Sequence, residues 1–220
     1  MAKGIIVIDP GHGGTEDVGN SGWNHAISAL GDLEKNLTLE VGQYAKAELE
    51  ILQHTVFLTR DTDVNLSLKD RAATAKNRNA DAFVSIHFNG MSDSSIQGTE
   101  TFVHVNSNQE SKLLASSLQT RLLSVTGYRD RGVKTSTFGV LFPNYHLYKT
   151  ASAYLEISFI TEPNEAQRLK DIAYKRKLGK AIAVAIDDYI NKRSRITPIT
   201  PTPFLELYLD TKALNIETDT

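Results

Sequence analysis

The apolar positions of this chain follow two rhythms. Short, nearly continuous runs occupy residues 4–8 (GIIVI), 55–59 (TVFLT), 82–87 (AFVSIH), 99–103 (TETFV) and 153–159 (AYLEISF). Runs of this length, rich in β-branched and aromatic residues and bounded by turn residues, predict buried strands. Between them lie longer stretches with apolar residues three or four apart. In residues 33–52 these are Leu37, Val41, Ala45, Leu49 and Leu52. That spacing predicts a helix, with Asp32 as its N-cap and Glu34 in its first turn. Residues 67–78 predict a second helix capped by Ser67, 109–125 a third, and 164–191 one or two more. Strands alternating with helices predict an α/β fold: a single domain with a twisted, largely parallel central sheet flanked by helices, of the phosphorylase/hydrolase-like kind.

The pattern breaks after Arg195. The stretch TPITPTP holds three of the six prolines in the chain. Residues 194–203 therefore read as a stiff, extended linker. The 17 residues of 204–220 carry four acids and one lysine, too few to build a core of their own. They read as a remnant of a longer module or as an assembly segment. Residues 1–193 are expected to form the catalytic domain.

Composition narrows the function classes. The 220 residues are 40% hydrophobic and 23% charged, with a net charge of −2. Nothing in that balance draws the chain to nucleic acid or to an anionic membrane. There is no cysteine, so a metal would have to be held by His, Asp or Glu. The N-terminus carries one lysine and a five-residue apolar run, which is not a signal peptide. No segment approaches the length of a membrane span. A monomer made in the cytoplasm is the expectation, with assembly through the tail as the alternative.

Of the six histidines, His12 and His87 stand apart. His12 sits in the glycine-rich turn DPGHGG after the first strand, and His87 ends the third. In an open parallel sheet, ligands bind at the carboxyl ends of strands, so the two imidazoles are placed to meet. Glu34, in the first turn of the following helix, could join them. Two His and one Glu form a catalytic zinc set that leaves a position open. Glu156 is an acid between apolar neighbours, costly to bury without a purpose. Taken singly, each residue has an ordinary alternative: a turn residue, a locally bonded strand end, an acid favoured by the helix dipole, a partner for a buried cation. His54 and His104 read as structural, and His25 and His146 as loop residues that could touch substrate. Neither a phosphate-binding loop nor an HExxH pair is present.

The motifs together resemble the amidase-3 type of zinc-dependent N-acetylmuramoyl-L-alanine amidase, found in cell-wall hydrolases and phage endolysins. IVIDPGHGG (6–14), LEKNLTLEV (33–41), LTRDTD (58–63), LSLKDRAATAKNRNADAFVSIHFN (66–89), GTETF (98–102), RGVK (131–134) and LEISFITEPNEAQRL (155–169) follow the family order. The resemblance implies one Zn²⁺ held by His12, Glu34 and His87, with Glu156 catalytic. It implies hydrolysis of the amide between the lactyl group of N-acetylmuramic acid and L-alanine in peptidoglycan. Asn89, Phe142 and Ser158 are expected to bind substrate or support the site. Ser158, Glu162 and Phe142 depart from the family's usual Gly, Asn and Arg. Only residues 90–97 separate Asn89 from Gly98, too few for a helix covering the zinc, so an open site is expected. An endolysin or autolysin acting on the wall after release is the expected setting. A zinc peptidase or carboxypeptidase acting on cell-wall peptides is the alternative, and a non-catalytic wall-binding module has no use for Glu156.

Overall fold

The computed structural model describes residues 2–193. The predicted linker and tail lie outside the described residues. Six strands form one sheet in the order β2-β1-β3-β6-β4-β5. They are β1 (Ile5–Pro10), β2 (Thr55–Leu58), β3 (Ala82–Asn89), β4 (Thr99–His104), β5 (Asp130–Ser136) and β6 (Ala151–Phe159). All neighbours pair in parallel except β4 with β6. The helices are α1 (Glu34–Ile51), α2 (Leu68–Asn77), α3 (Gln109–Thr126), α4 (Pro163–Arg168) and α5 (Ile172–Arg193). The largely parallel α/β sheet expected from the sequence is present.

Strand periodicity divides the sheet into two unlike faces. Ile6 and Ile8 of β1 and Val84, Ile86 and Phe88 of β3 point into the main core with Val41, Leu49, Leu118, Leu122, Leu178 and Ile186 of α1, α3 and α5. The alternate positions point the other way. There Val7 and Phe83 meet only a small cluster with Ala75, Val140 and Leu141. The rest of that face carries Asp9, Ser85, His87, Tyr154 and Glu156, so one face builds the core and the other is largely polar.

Two sequence expectations change. Asp32 does not cap α1. Leu33 occupies the cap position without a side-chain bond. The loop before it satisfies the first-turn amides instead: Glu34 N donates to Ala26 O (3.1 Å) and Lys35 N to Asn24 Oδ1 (3.1 Å). Asp32 accepts from Ser28 Oγ (2.9 Å) and Lys170 Nζ (2.6 Å). The second change is β5, an added edge strand whose residues DRGVKTS alternate between exposed and half-buried. A polar edge carries no apolar run, so periodicity does not reveal it. Ser67 caps α2 as expected, accepting from Asp70 N (3.0 Å). Residues 90–97 contain no helix.

Candidate active site

Three side chains from three elements converge at the polar face. His87 Nδ1 lies 3.1 Å from His12 Nε2 and 3.0 Å from Glu34 Oε1, and His12 Nε2 lies 3.2 Å from Glu34 Oε1. Each arrives by local necessity. His12 follows the end of β1 at φ 62°, a left-handed conformation that turns the chain sharply with Gly13 and Gly14. Gly11 makes room, because a Cβ there would stand 2.1 Å from the His87 ring. Glu34 opens α1 almost fully buried, its Oε2 accepting from Ala26 N (3.0 Å) and its Oε1 from Phe88 N (3.1 Å).

The arrangement is short of protons. His12 Nδ1 faces the carbonyl of Gly22 at 2.8 Å. A carbonyl only accepts, so Nδ1 carries the hydrogen and neutral His12 offers a bare Nε2. While His12 is neutral, at most one proton, on His87 Nδ1, is left among three mutually facing bases; a second arrives only when His12 is protonated against Glu34. Burial by itself would raise the Glu34 carboxyl, but hydrogen bonds from the two histidines outweigh it and hold the group well below the usual range. Burial pushes His87 down to about 4. Burial also opposes protonation of His12, and there the hydrogen bond and charge of Glu34 prevail and raise it. A cation requires neutral nitrogens and an ionised carboxylate; Glu34 and His87 are held in those states, and His12 would give up the proton that Glu34 favours.

The geometry passes the same test. Ligands about 2.0–2.1 Å from a tetrahedral zinc stand roughly 3.3 Å apart. The three atoms here are separated by 3.0–3.2 Å. Among the described residues these three are the one group of His, Asp or Glu able to hold a metal ion together. The Gly22 carbonyl on His12 fixes the ring as outer partners of metal-binding histidines do.

Glu156 stands beside His87, its register partner across β3 and β6. Its Oε2 is buried without a hydrogen-bond partner. Burial, followed by the charges of Glu34 and Glu100, raises the carboxyl well above its ordinary value, and Tyr154 opposes the shift only in part. The Tyr154 ring stacks on His87 at 4.2 Å, 13° from parallel. Together with Leu68, Phe138 and Val140, it walls a cavity of about 150 Å³ reaching His12 and His87.

The supporting residues are the part that sequence reasoning missed. Arg71, 1% exposed, donates to Asp9 Oδ1 (2.9 Å), Pro10 O (2.8 Å) and His12 O (2.7 Å). Arg60, 3% exposed, donates to Pro10 O (2.9 Å), Gly11 O (2.9 Å) and Lys35 O (2.7 Å). Two buried guanidinium groups thus clasp the carbonyls of the turn that carries His12. One signal was available. Arg71 shares the buried stripe of α2 with Ala72 and Ala75, and a charge on an apolar stripe needs partners.

The remaining candidates separate. Asn89 Nδ2 donates to Glu100 Oε1 (3.0 Å), one strand from Glu156. Phe142 is exposed and packs edge-on against His104 at 5.3 Å. Ser158 is fully buried and donates to Glu165 Oε1 (2.6 Å), so its hydroxyl does not line the site. Glu162, at the other departing position, caps α4 by accepting from Asn164 N and Glu165 N. His54 accepts from Gly4 N (3.1 Å) and faces Asp187 Oδ1 at 3.1 Å, a structural tie. His104 Nδ1 accepts from Asn106 N (3.0 Å), and His146 Nε2 faces Val140 O at 2.8 Å. His25 stacks 6.4 Å from His12.

Comparison with known proteins places the chain among cell-wall amidases. The amidase-3 family, N-acetylmuramoyl-L-alanine amidase, matches residues 6–188. N-acetylmuramoyl-L-alanine amidase LytC of Bacillus subtilis is 36% identical over 180 residues, which are 80% of this chain and 34% of LytC. The chain therefore spans about a third of that relative. The N-acetylmuramoyl-L-alanine amidase of Clostridium difficile 630 superposes with TM-score 0.76 at 30% identity, covering 87% of this chain and 98% of that one. The catalytic domain of CwlV, an N-acetylmuramoyl-L-alanine amidase from Bacillus (Paenibacillus) polymyxa var. colistinus, gives 0.74 at 28% identity, covering 85% and 98%.

Proposed function

The chain belongs to the amidase-3 family of N-acetylmuramoyl-L-alanine amidases, and from that premise we propose that it cleaves the amide joining the lactyl group of N-acetylmuramic acid to the L-alanine of the stem peptide. The observation that carries the reading is the proton-poor triangle of His12, Glu34 and His87 with the orphaned carboxyl of Glu156 beside it. We assign the three as holders of one Zn²⁺ and residues 1–193 as the catalytic unit. Zinc bound there would supply Lewis-acid polarisation of the scissile carbonyl and bring the pKa of water toward about 7.

The protein's own groups account for the remaining steps. The Arg60 and Arg71 clasp holds the His12 turn rigid before substrate arrives. Glu156 takes a proton from the attacking water, and its raised affinity for protons suits it to the task. Oxygen adds to the carbonyl carbon, the C–N bond breaks, and Glu156 delivers the proton to the departing amine of alanine. The products are a lactyl carboxylate and a free N-terminal alanine.

A peptidase would instead release amino acids from the stem. The membership of the chain and the names of its relatives favour the amidase over that alternative. We place its action at the bacterial cell wall after release, as an endolysin or autolysin. No helix among the described residues is long and apolar enough to cross a membrane. The test is digestion of purified peptidoglycan with and without a chelator, followed by mass spectrometry. Intact stem peptides beginning with alanine, together with intact glycan, are expected only in the absence of chelator. Free amino acids, or turnover that the chelator leaves unchanged, would overturn the reading.

A further inference from the structure

On the polar face, one strand from Glu156, Glu100 is its register partner across β4 and β6. Glu100 is only 4% exposed and its carboxylate is saturated. Oε1 accepts from Asn89 Nδ2 (3.0 Å), while Oε2 accepts from Arg131 Nε (3.0 Å) and from Lys134 Nζ. Two cations thus share one anion. Neither is consumed by it. Arg131 makes no hydrogen bond through its Nη groups among the described residues, and Lys134 gives Glu100 one of its three donors. Their side chains are 30% and 40% exposed, against a 5% exposed Glu100 side chain, and the Arg131 guanidinium also lies 5.0 Å over the Phe159 ring. Gly98, at φ 152°, leaves the space for this: a Cβ there would meet Arg131 Cδ at 2.4 Å.

A lone acid needing neutralisation would be served by one cation. A buried carboxylate that orients two cations leaves those three groups with a net charge of +1, beside Glu156. We propose that Arg131 and Lys134 form a subsite for a carboxylate of the stem peptide, on the residue that follows the alanine at the scissile bond. The inference rests on the amidase reading of Glu156. The spacing agrees. From β6 to β5 across β4 is two strand spacings, roughly 10 Å. Two extended residues reach about 7 Å, and a side chain supplies the remainder. A carboxylate there would take charge-assisted hydrogen bonds from donors already fixed by Glu100. The Phe102 ring, 5.7 Å from Lys134 Nζ, holds the ammonium from the sheet side.

The test uses two synthetic substrates, N-acetylmuramoyl-L-alanyl-D-glutamate with the γ-carboxyl blocked as an amide in both, and the α-carboxylate free in one and amidated in the other. The protein, loaded with zinc, is expected to prefer the carboxylate by about tenfold in kcat/KM, the difference carried mainly by KM. The preference should weaken as salt is raised. Lys134→Gln keeps a donor for Glu100 but removes the charge, and should narrow the preference to about twofold by raising KM for the carboxylate alone. Lys134→Arg should restore it. Equal rates on both substrates in the unaltered protein would overturn the subsite while leaving the amidase reading standing. So would a Lys134→Gln loss equal on both, which is the mark of a merely structural role. Cleavage of neither substrate would bring down both.

Discussion

Two polar clusters lie side by side on the same face of the sheet, and they are built in opposite ways. Around Arg71 and Arg60, donors and acceptors are matched. Asp9 accepts from Arg71 (2.9 Å), Thr59 (2.5 Å) and Ser85 (2.6 Å), and the two guanidinium groups reach the carbonyls of Pro10, Gly11 and His12. Around His12, Glu34 and His87, three bases face one another with few protons to share, and the nearby Glu156 Oε2 has no partner among the described residues. Buried polar groups are expensive unless paired. A chain that pairs one cluster so fully and leaves its neighbour short of protons has kept the second for something that arrives from outside. The satisfied cluster provides rigidity, and the unsatisfied one is the proposed seat of reactivity.

The largest effect should come from the orphaned carboxyl. Glu156→Gln is expected to lower turnover on peptidoglycan by about 10²–10⁴-fold, with zinc content by elemental analysis unchanged. Loss of metal along with activity would mean that Glu156 belongs to the triad rather than beside it. Next is the matched cluster. Arg71→Leu strands the buried Asp9 carboxylate and should cost about 3–5 kcal/mol in a denaturant melt. A cost below about 1 kcal/mol would put Arg71 in the class of surface ion pairs.

How far the sequence could be read follows the same division. That His12, Glu34, His87 and Glu156 lie together was legible because they are side chains set in short, ordered motifs, from DPGHGG to YLEISF. The core strands were legible because they are buried along nearly their whole length and their short runs are rich in apolar and β-branched residues, as in β3. The clasp was not. Arg60 and Arg71 bind main-chain carbonyls some 50 to 60 residues away, and a carbonyl leaves no mark on sequence. The Asp32 cap failed for a related reason, since main chain at Ala26 and the Asn24 side chain already serve the first turn of α1. Strand β5 stayed hidden because an edge strand with a polar surface has no apolar period to detect. Ser158 looked like a groove residue by its place in the motif, yet folding turns its hydroxyl to Glu165.

A smaller effect sharpens the comparison through pH. Burial would raise the Asp9 carboxyl, but the Arg71 charge and the hydrogen bonds from Ser85 and Thr59 overcome it and hold the group below its ordinary value. A depressed folded value gives stability that is present above the unfolded value, about 3.9, and is lost as pH falls through the folded one. Unfolding free energy measured in denaturant should therefore decline below about pH 4, by as much as about 1.4 kcal/mol per pH unit from this group. Asp9→Asn should flatten that slope. A slope unchanged in the variant would remove Asp9 from the account. The smallest effect belongs to an exposed pair. Arg121 and Asp188, bonded at 2.6 Å but 47% and 35% exposed, should contribute under about 1 kcal/mol when Arg121→Ala is melted.

The central claim, that the proton-poor triangle is a cation site, is tested most directly by calorimetric titration of chelator-stripped protein with zinc, in the unaltered chain and in Glu34→Gln. One zinc per chain is expected to bind with release of the proton that Glu34 favours on His12, with an affinity at least about tenfold weaker in the variant. An unaltered chain that binds no zinc, or a variant that binds as tightly, would contradict it.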